Sequence, residues 1–81
     1  MYIEFRLPSG AGGAAAGIAL THIKIDVDDW VRKHNIKNYR TKLHKYTYRL
    51  CLENDKAYAY FALTWNPQYT ASQNFTFVNP K

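Results

Sequence analysis

Acidic residues are missing from the middle of this 81-residue chain. Between Trp30 and Leu52 there is none, although seven of the eleven Lys and Arg (Arg32, Lys33, Lys37, Arg40, Lys42, Lys45 and Arg49) fall there, for a local net charge of +7. Cysteine occurs once, at Cys51, which excludes an internal disulfide and points to a reducing compartment. The longest apolar run, the Ala-rich stretch around residues 14 to 20, is far short of the ~18 residues that span a bilayer. The start Met1-Tyr2-Ile3-Glu4 has neither the basic nor the apolar region of a signal peptide. A cytoplasmic location with no membrane partner is therefore expected. Repeats and interdomain linkers are absent too, so residues 1–81 are read as a single domain.

What is present suits a folded chain: 47% of residues are hydrophobic, 16% aromatic and 21% charged. In "YIEFRL", Ile3, Phe5 and Leu7 alternate with Tyr2, Glu4 and Arg6, the period-2 pattern of a strand with one buried face, and Pro8 ends it. From there to Ile36 two readings compete. At helical spacing Ala16, Ala19, Leu20, Ile23, Val27, Trp30, Val31 and His34 form one stripe. Thr21, Lys24, Asp28, Arg32 and Asn35 lie opposite, and only Ile18 and Ile25 break the pattern. The alternative is a strand over Thr21, Ile23, Ile25 and Val27 before a short helix, favoured by glycines at 12, 13 and 17, each costing a helix about 1 kcal/mol. The longer stripe decides for one long helix, capped by Ser9 and ended near Asn35. Small residues in its first turns would let it lie close on a sheet.

"KYTYRLCLENDKAYAYF" is read as a hairpin turning at Asn54-Asp55, two residues that tolerate the left-handed conformation. Leu52 then meets Ala57, Leu50 meets Ala59, Tyr48 meets Phe61, Tyr46 meets Leu63 and His44 meets Trp65 on an apolar face. Cys51 with Tyr58, Arg49 with Tyr60, Thr47 with Ala62 and Lys45 with Thr64 form the wet face. "NFTFV" leaves room for a short last strand at an edge. The expected fold is α+β: a single-layer antiparallel sheet of order β-α-β-β, open to a fourth C-terminal strand, with one long helix on one face.

Such a sheet leaves its second face uncovered, carrying Lys45, Thr47, Arg49, Tyr58 and Tyr60, joined by Tyr2 and Arg6. With the neighbouring basic block, the expected binding residues are Arg32, Lys33, Lys37, Arg40, Lys42, Lys45, Arg49, Tyr58 and Tyr60. Cations suit an acidic protein surface or phosphates. Tyr rings among cations suit single-stranded RNA or DNA, whose bases stack while the backbone meets Lys and Arg. The same face could pair two copies into a homodimer. Against these stand a merely solubilising charge excess and the strand propensity of Tyr.

Signs of chemistry are weaker. Gly10-Ala11-Gly12-Gly13-Ala14-Ala15 matches a phosphate-cradling G-x-G-x-x-A pattern, but 81 residues leave little room for a dinucleotide fold, so no cofactor is expected. Asp26, Asp28 and Asp29 read as capping or solvated acids, and His22, His34 and His44 match no zinc spacing, so no metal is expected either. Cys51 has no His predicted beside it and reads as a packed or surface thiol. His44 beside Lys42, Lys45 and Tyr46 is the one constellation suited to acid and base in metal-free RNA cleavage, and in size and charge the chain resembles small ribonuclease toxins, with no motif aligned. The leading expectation is a non-enzymatic regulator or inhibitor acting on a protein partner. In its small size and missing catalytic signatures it resembles the accessory proteins by which phages inhibit host machinery, a likeness of type that no motif carries.

Overall fold

The computed structural model describes residues 1–8 and 13–79. In chain order the elements are β1 (Tyr2–Arg6), α1 (Gly13–Lys33), β2 (Tyr39–His44), β3 (Thr47–Leu52), α2 (Asp55–Thr64), a short 3₁₀ turn at Thr70–Gln73, and β4 (Phe75–Val78). The strands form one antiparallel sheet of order β2-β3-β1-β4. β3 is inserted between β1 and β2, and β1 between β3 and β4, so two split β-α-β units interleave. The expected α+β architecture is present, with the C-terminal strand formed and a second, shorter helix added to the same face.

The long helix follows its apolar stripe. Ala19, Ile23, Val27, Trp30 and Val31 are buried, while Ile18 and Ile25, the two that broke the pattern, are exposed. Asn35 stops the helix at φ 57, with its N–H bonded to the Arg32 carbonyl at 3.2 Å and the Ile36 N–H to the Val31 carbonyl at 2.8 Å. That pair of bonds is a Schellman ending, and Ile36 packs back on the core as the motif favours. The proposed Ser9 cap lies outside the described residues. Close helix–sheet packing is not the reason for the glycines at 13 and 17, since a Cβ built on either meets nothing within 4 Å.

The hairpin is corrected. It joins β2 to β3 through Lys45-Tyr46, pairing His44 with Thr47, Lys42 with Arg49 and Arg40 with Cys51; Lys45 takes φ 52. Asn54 does not turn a hairpin: its side chain accepts the Ala57 N–H at 3.0 Å and caps α2. Residues 56–65 then follow a helical rather than an alternating pattern, because Tyr58, Phe61 and Trp65 sit at i, i+3 and i+7 among the helix-forming Ala57, Ala59 and Ala62. The tertiary reason is that both sides of β3 are occupied, by β2 and by β1 through the pair Ile3 and Leu50. No place remains beside it for a strand made of residues 56–65.

The core lies between the sheet and the two helices. Ile3, Phe5, Tyr48, Leu50 and Leu52 contribute from the sheet, and Tyr58 and Phe61 from α2. Phe61 is the hub of its aromatic part, stacked on Trp65 at 4.6 Å between centroids and edge-on to Trp30 at 5.1 Å and to Phe75 at 5.4 Å.

Candidate cationic sheet face and edge

Strand alternation sets the uncovered face. With Ile3, Phe5, Tyr48 and Leu50 turned inward, Tyr2, Glu4 and Arg6 of β1 and Thr47, Arg49 and Cys51 of β3 turn outward. The β2 pairings put Arg40, Lys42 and His44 on this side as well. Three rows cross it: Arg6, Thr47 and His44; Glu4, Arg49 and Lys42; and Tyr2, Cys51 and Arg40. Among the described residues, four permanent cations thus share this face with one carboxylate. Arg49 is the most engaged, its Nε 3.5 Å from Glu4 Oε2 and its guanidinium carbon 4.8 Å from the centroid of the Tyr2 ring. Arg49 Nε thus lies beside Glu4 without a hydrogen bond, and among the described residues no carboxylate pairs with Arg6, Arg40 or Lys42, nor with Lys45 in the adjoining turn.

Two shallow cavities open at the ends of β2. One, of about 380 Å³, is lined by Lys37, Asn38, Tyr39, Arg40, Cys51, Leu52 and Glu53. The other, of about 330 Å³, is lined by Arg6, Leu7, His44, Lys45, Tyr46, Thr47 and Arg49. The first sets Lys37 and Arg40 beside Glu53, and the second holds Arg6, Lys45 and Arg49. The second also gathers His44, Lys45 and Tyr46 of the constellation considered for RNA cleavage, without Lys42. Among the described residues, however, no hydrogen bond links the His44 ring to Lys45 or Tyr46, and the Thr47 hydroxyl is spent on the His44 carbonyl at 2.8 Å.

The expected binding residues divide into three groups. Arg40, Lys42 and Arg49 share the open face, where the β2 cations had been assigned only to a basic segment beside it. Lys37 and Lys45 flank β2 at its two ends. Arg32, Lys33, Tyr58 and Tyr60 belong to the helix layer and are not part of this face. Arg32 pairs with Asp28 at 2.9 Å on the outer surface of α1, an exposed i,i+4 pair of small worth. Tyr58 is buried in the core, where its hydroxyl donates to the Met1 carbonyl and accepts the Leu52 N–H at 2.8 Å. Burial pushes its phenol above the ordinary 10.0. The Tyr60 hydroxyl lies 2.9 Å from His34 Nδ1, joining α2 to the end of α1.

Asp26 was read as a capping or solvated acid, and it is buried. Its two oxygens accept the Gln68 N–H at 2.9 Å and the Tyr69 N–H at 3.1 Å, fixing the segment between α2 and the 3₁₀ turn. Its place on the apolar stripe, between Ile23 and Trp30, was the available signal. The glycine-rich pattern at 10–15 lies partly outside the described residues. Among those described, no group of three His, Cys, Asp or Glu could hold a metal ion, and no helix is long and apolar enough to cross a membrane. No protein-family model, curated protein or solved structure matches the chain.

Proposed function

We propose that the protein is a non-enzymatic binding module whose cationic sheet face, with the basic ends of β2, docks an acidic protein surface as a regulator or inhibitor. The observation that supports this reading most is the collection of Arg6, Arg40 and Lys42 on one open face where, among the described residues, the one carboxylate, Glu4, lies beside Arg49. Charge of one sign on a flat face steers and orients an oppositely charged partner. The absence of acids from residues 31 to 51 follows naturally, since an acid there would weaken the field.

Single-stranded nucleic acid is the second reading, and it has lost part of its support. Base stacking needs exposed aromatic platforms, and of the tyrosines assigned to it Tyr58 is in the core and Tyr60 in the helix layer. Tyr2 remains on the face, with Arg49 over its ring.

Fluorescence anisotropy at about 50 mM salt separates the two. The probes are a Glu-rich peptide and a single-stranded RNA of roughly twenty nucleotides. The expected result is binding of the peptide, lost when Arg40→Glu and Lys42→Glu are combined and retained in Tyr2→Ala. Binding of the RNA alone, weakened by Tyr2→Ala, would replace this reading with the second one.

A further inference from the structure

We infer that β2 is a strand-addition site: an extended segment of the partner, alternating acidic and apolar residues, pairs along its free edge as a fifth strand. This rests on the reading of an acidic partner given above and specifies how that partner is held. β2 is an edge strand of six residues, all exposed, and among the described residues nothing pairs with its outer side. Its hairpin fixes which backbone groups are free. A two-residue connection at Lys45-Tyr46 makes His44 and Thr47 the closing hydrogen-bonded pair, so Arg40, Lys42 and His44 bond inward to β3, while Tyr39, Thr41 and Leu43 aim their N–H and C=O groups outward. The Leu52 N–H agrees with this phase, because it is taken by the Tyr58 hydroxyl rather than by its cross-strand partner Tyr39.

The side chains give the edge a two-sided code. On the open face an incoming strand would run beside Arg40 and Lys42. On the other side it would run beside Tyr39, 37% exposed, and Leu43, 52% exposed. Backbone pairing supplies affinity in such docking, and alternate side chains supply selection. A segment with acids on one side and apolar residues on the other satisfies both rows. A second copy of this chain does not, since antiparallel pairing of β2 with itself would set Arg40 and Lys42 against the same cations. Cations on an edge also act as guards against pairing, but a guard has no need of half-exposed Leu43 and Tyr39 on its other side.

The test uses a capped peptide alternating Glu and Val over the length of β2, and a control of the same composition with Glu and Val in two blocks. The alternating peptide should bind more tightly, and it should slow amide hydrogen exchange at Tyr39, Thr41 and Leu43 but not at residues of α1. Replacing the Thr41 amide by an ester removes one outward N–H without changing charge, and should weaken binding by about fivefold to tenfold. Thr41→Pro should do the same, because the lost N–H faces solvent and the β2–β3 ladder is kept. If Arg40→Glu with Lys42→Glu abolishes binding while both Thr41 changes leave it intact, strand addition is overturned and the acidic-partner reading stands. If the Thr41 changes abolish binding and charge reversal does not, the edge is used without the acidic preference and the proposed function fails. Equal affinity for the block peptide overturns the alternating code.

Discussion

The aromatic seam between the helices and the sheet and the strand β2 both carry large apolar side chains, and they place them oppositely. In the seam, Phe61 packs against Trp30, Trp65 and Phe75, and both indole N–H groups are satisfied: Trp30 Nε1 donates to the Thr64 hydroxyl at 2.9 Å, and Trp65 Nε1 to the Ser72 carbonyl at 3.1 Å. In β2, Tyr39 and Leu43 stay exposed and the outer backbone edge has no partner among the described residues. For Tyr39 and Leu43, which are as apolar as much of the core, the difference lies in their neighbours. Central strands have a layer over them and strands on both sides, whereas an edge strand at the margin of the helix layer has neither. The seam therefore carries stability, and β2 is left open to solvent along its outer edge, where the proposed binding is placed.

The comparison breaks most sharply at Phe61. Phe61→Ala empties the hub of the seam and should destabilise by about 3 to 5 kcal/mol in chemical denaturation, whereas Tyr60→Ala, one residue along on the exposed side, should cost under about 1 kcal/mol. Equal losses would mean that the face of α2 is misassigned.

Asp26→Ala should follow, at about 2 kcal/mol, because it strips the Gln68 and Tyr69 N–H groups of their acceptors. Thermal unfolding monitored by Trp fluorescence reads this loss, since Trp30 and Trp65 border the same segment.

Tyr58→Phe should cost about 1 kcal/mol at neutral pH through the hydrogen bonds to Met1 and Leu52. Its pH dependence adds a separate signature. The folded phenol titrates above 10.0, raised first by burial, so its contribution is fully present below pH 10 and lost as pH rises through the folded value. Above pH 10 the gap between wild type and Tyr58→Phe should therefore narrow. The other six tyrosines are common to both proteins and cancel in the difference. A gap that stays constant to high pH would show that Tyr58 is not the buried phenol described.

The smallest effect on folding is expected where the largest effect on binding is proposed. Arg40→Glu combined with Lys42→Glu should change stability by no more than about 0.5 kcal/mol, since both side chains are exposed on an edge strand. A loss of several kcal/mol would place these cations in the architecture and collapse the contrast with the seam.

Much of the seam was legible in the residues alone. Ile3, Phe5 and Leu7 alternate as they bury, and α1 presents the stripe from Ala19 to Val31 that its spacing announces. Tyr48, Leu50 and Leu52 were placed on the core side of a strand, and they are. The stretch from Asn54 to Trp65 was misread because it satisfies both periods: Phe61 lies an even number of residues from Ala57 and Trp65 and also three from Tyr58. The candidate face suffered accordingly, losing Tyr58 and Tyr60 and gaining Arg40, Lys42 and His44, because the strand expected from His44 to Leu52 is broken at Lys45-Tyr46 and the residues before the break form a separate strand, β2.

By itself the sequence determined the class of fold, the stripe of the long helix and the concentration of positive charge, because periodicity and composition are local properties. Only the tertiary structure decided which side of the molecule received that charge. Insertion of β1 beside β3 excluded a second hairpin strand there, and the chain after Leu52 buried its aromatics as a helix over the core. β2 was thereby left at the edge of the sheet, and which strand ends at an edge is settled by long-range pairing between residues as far apart as Ile3 and Leu50, which local pattern does not encode.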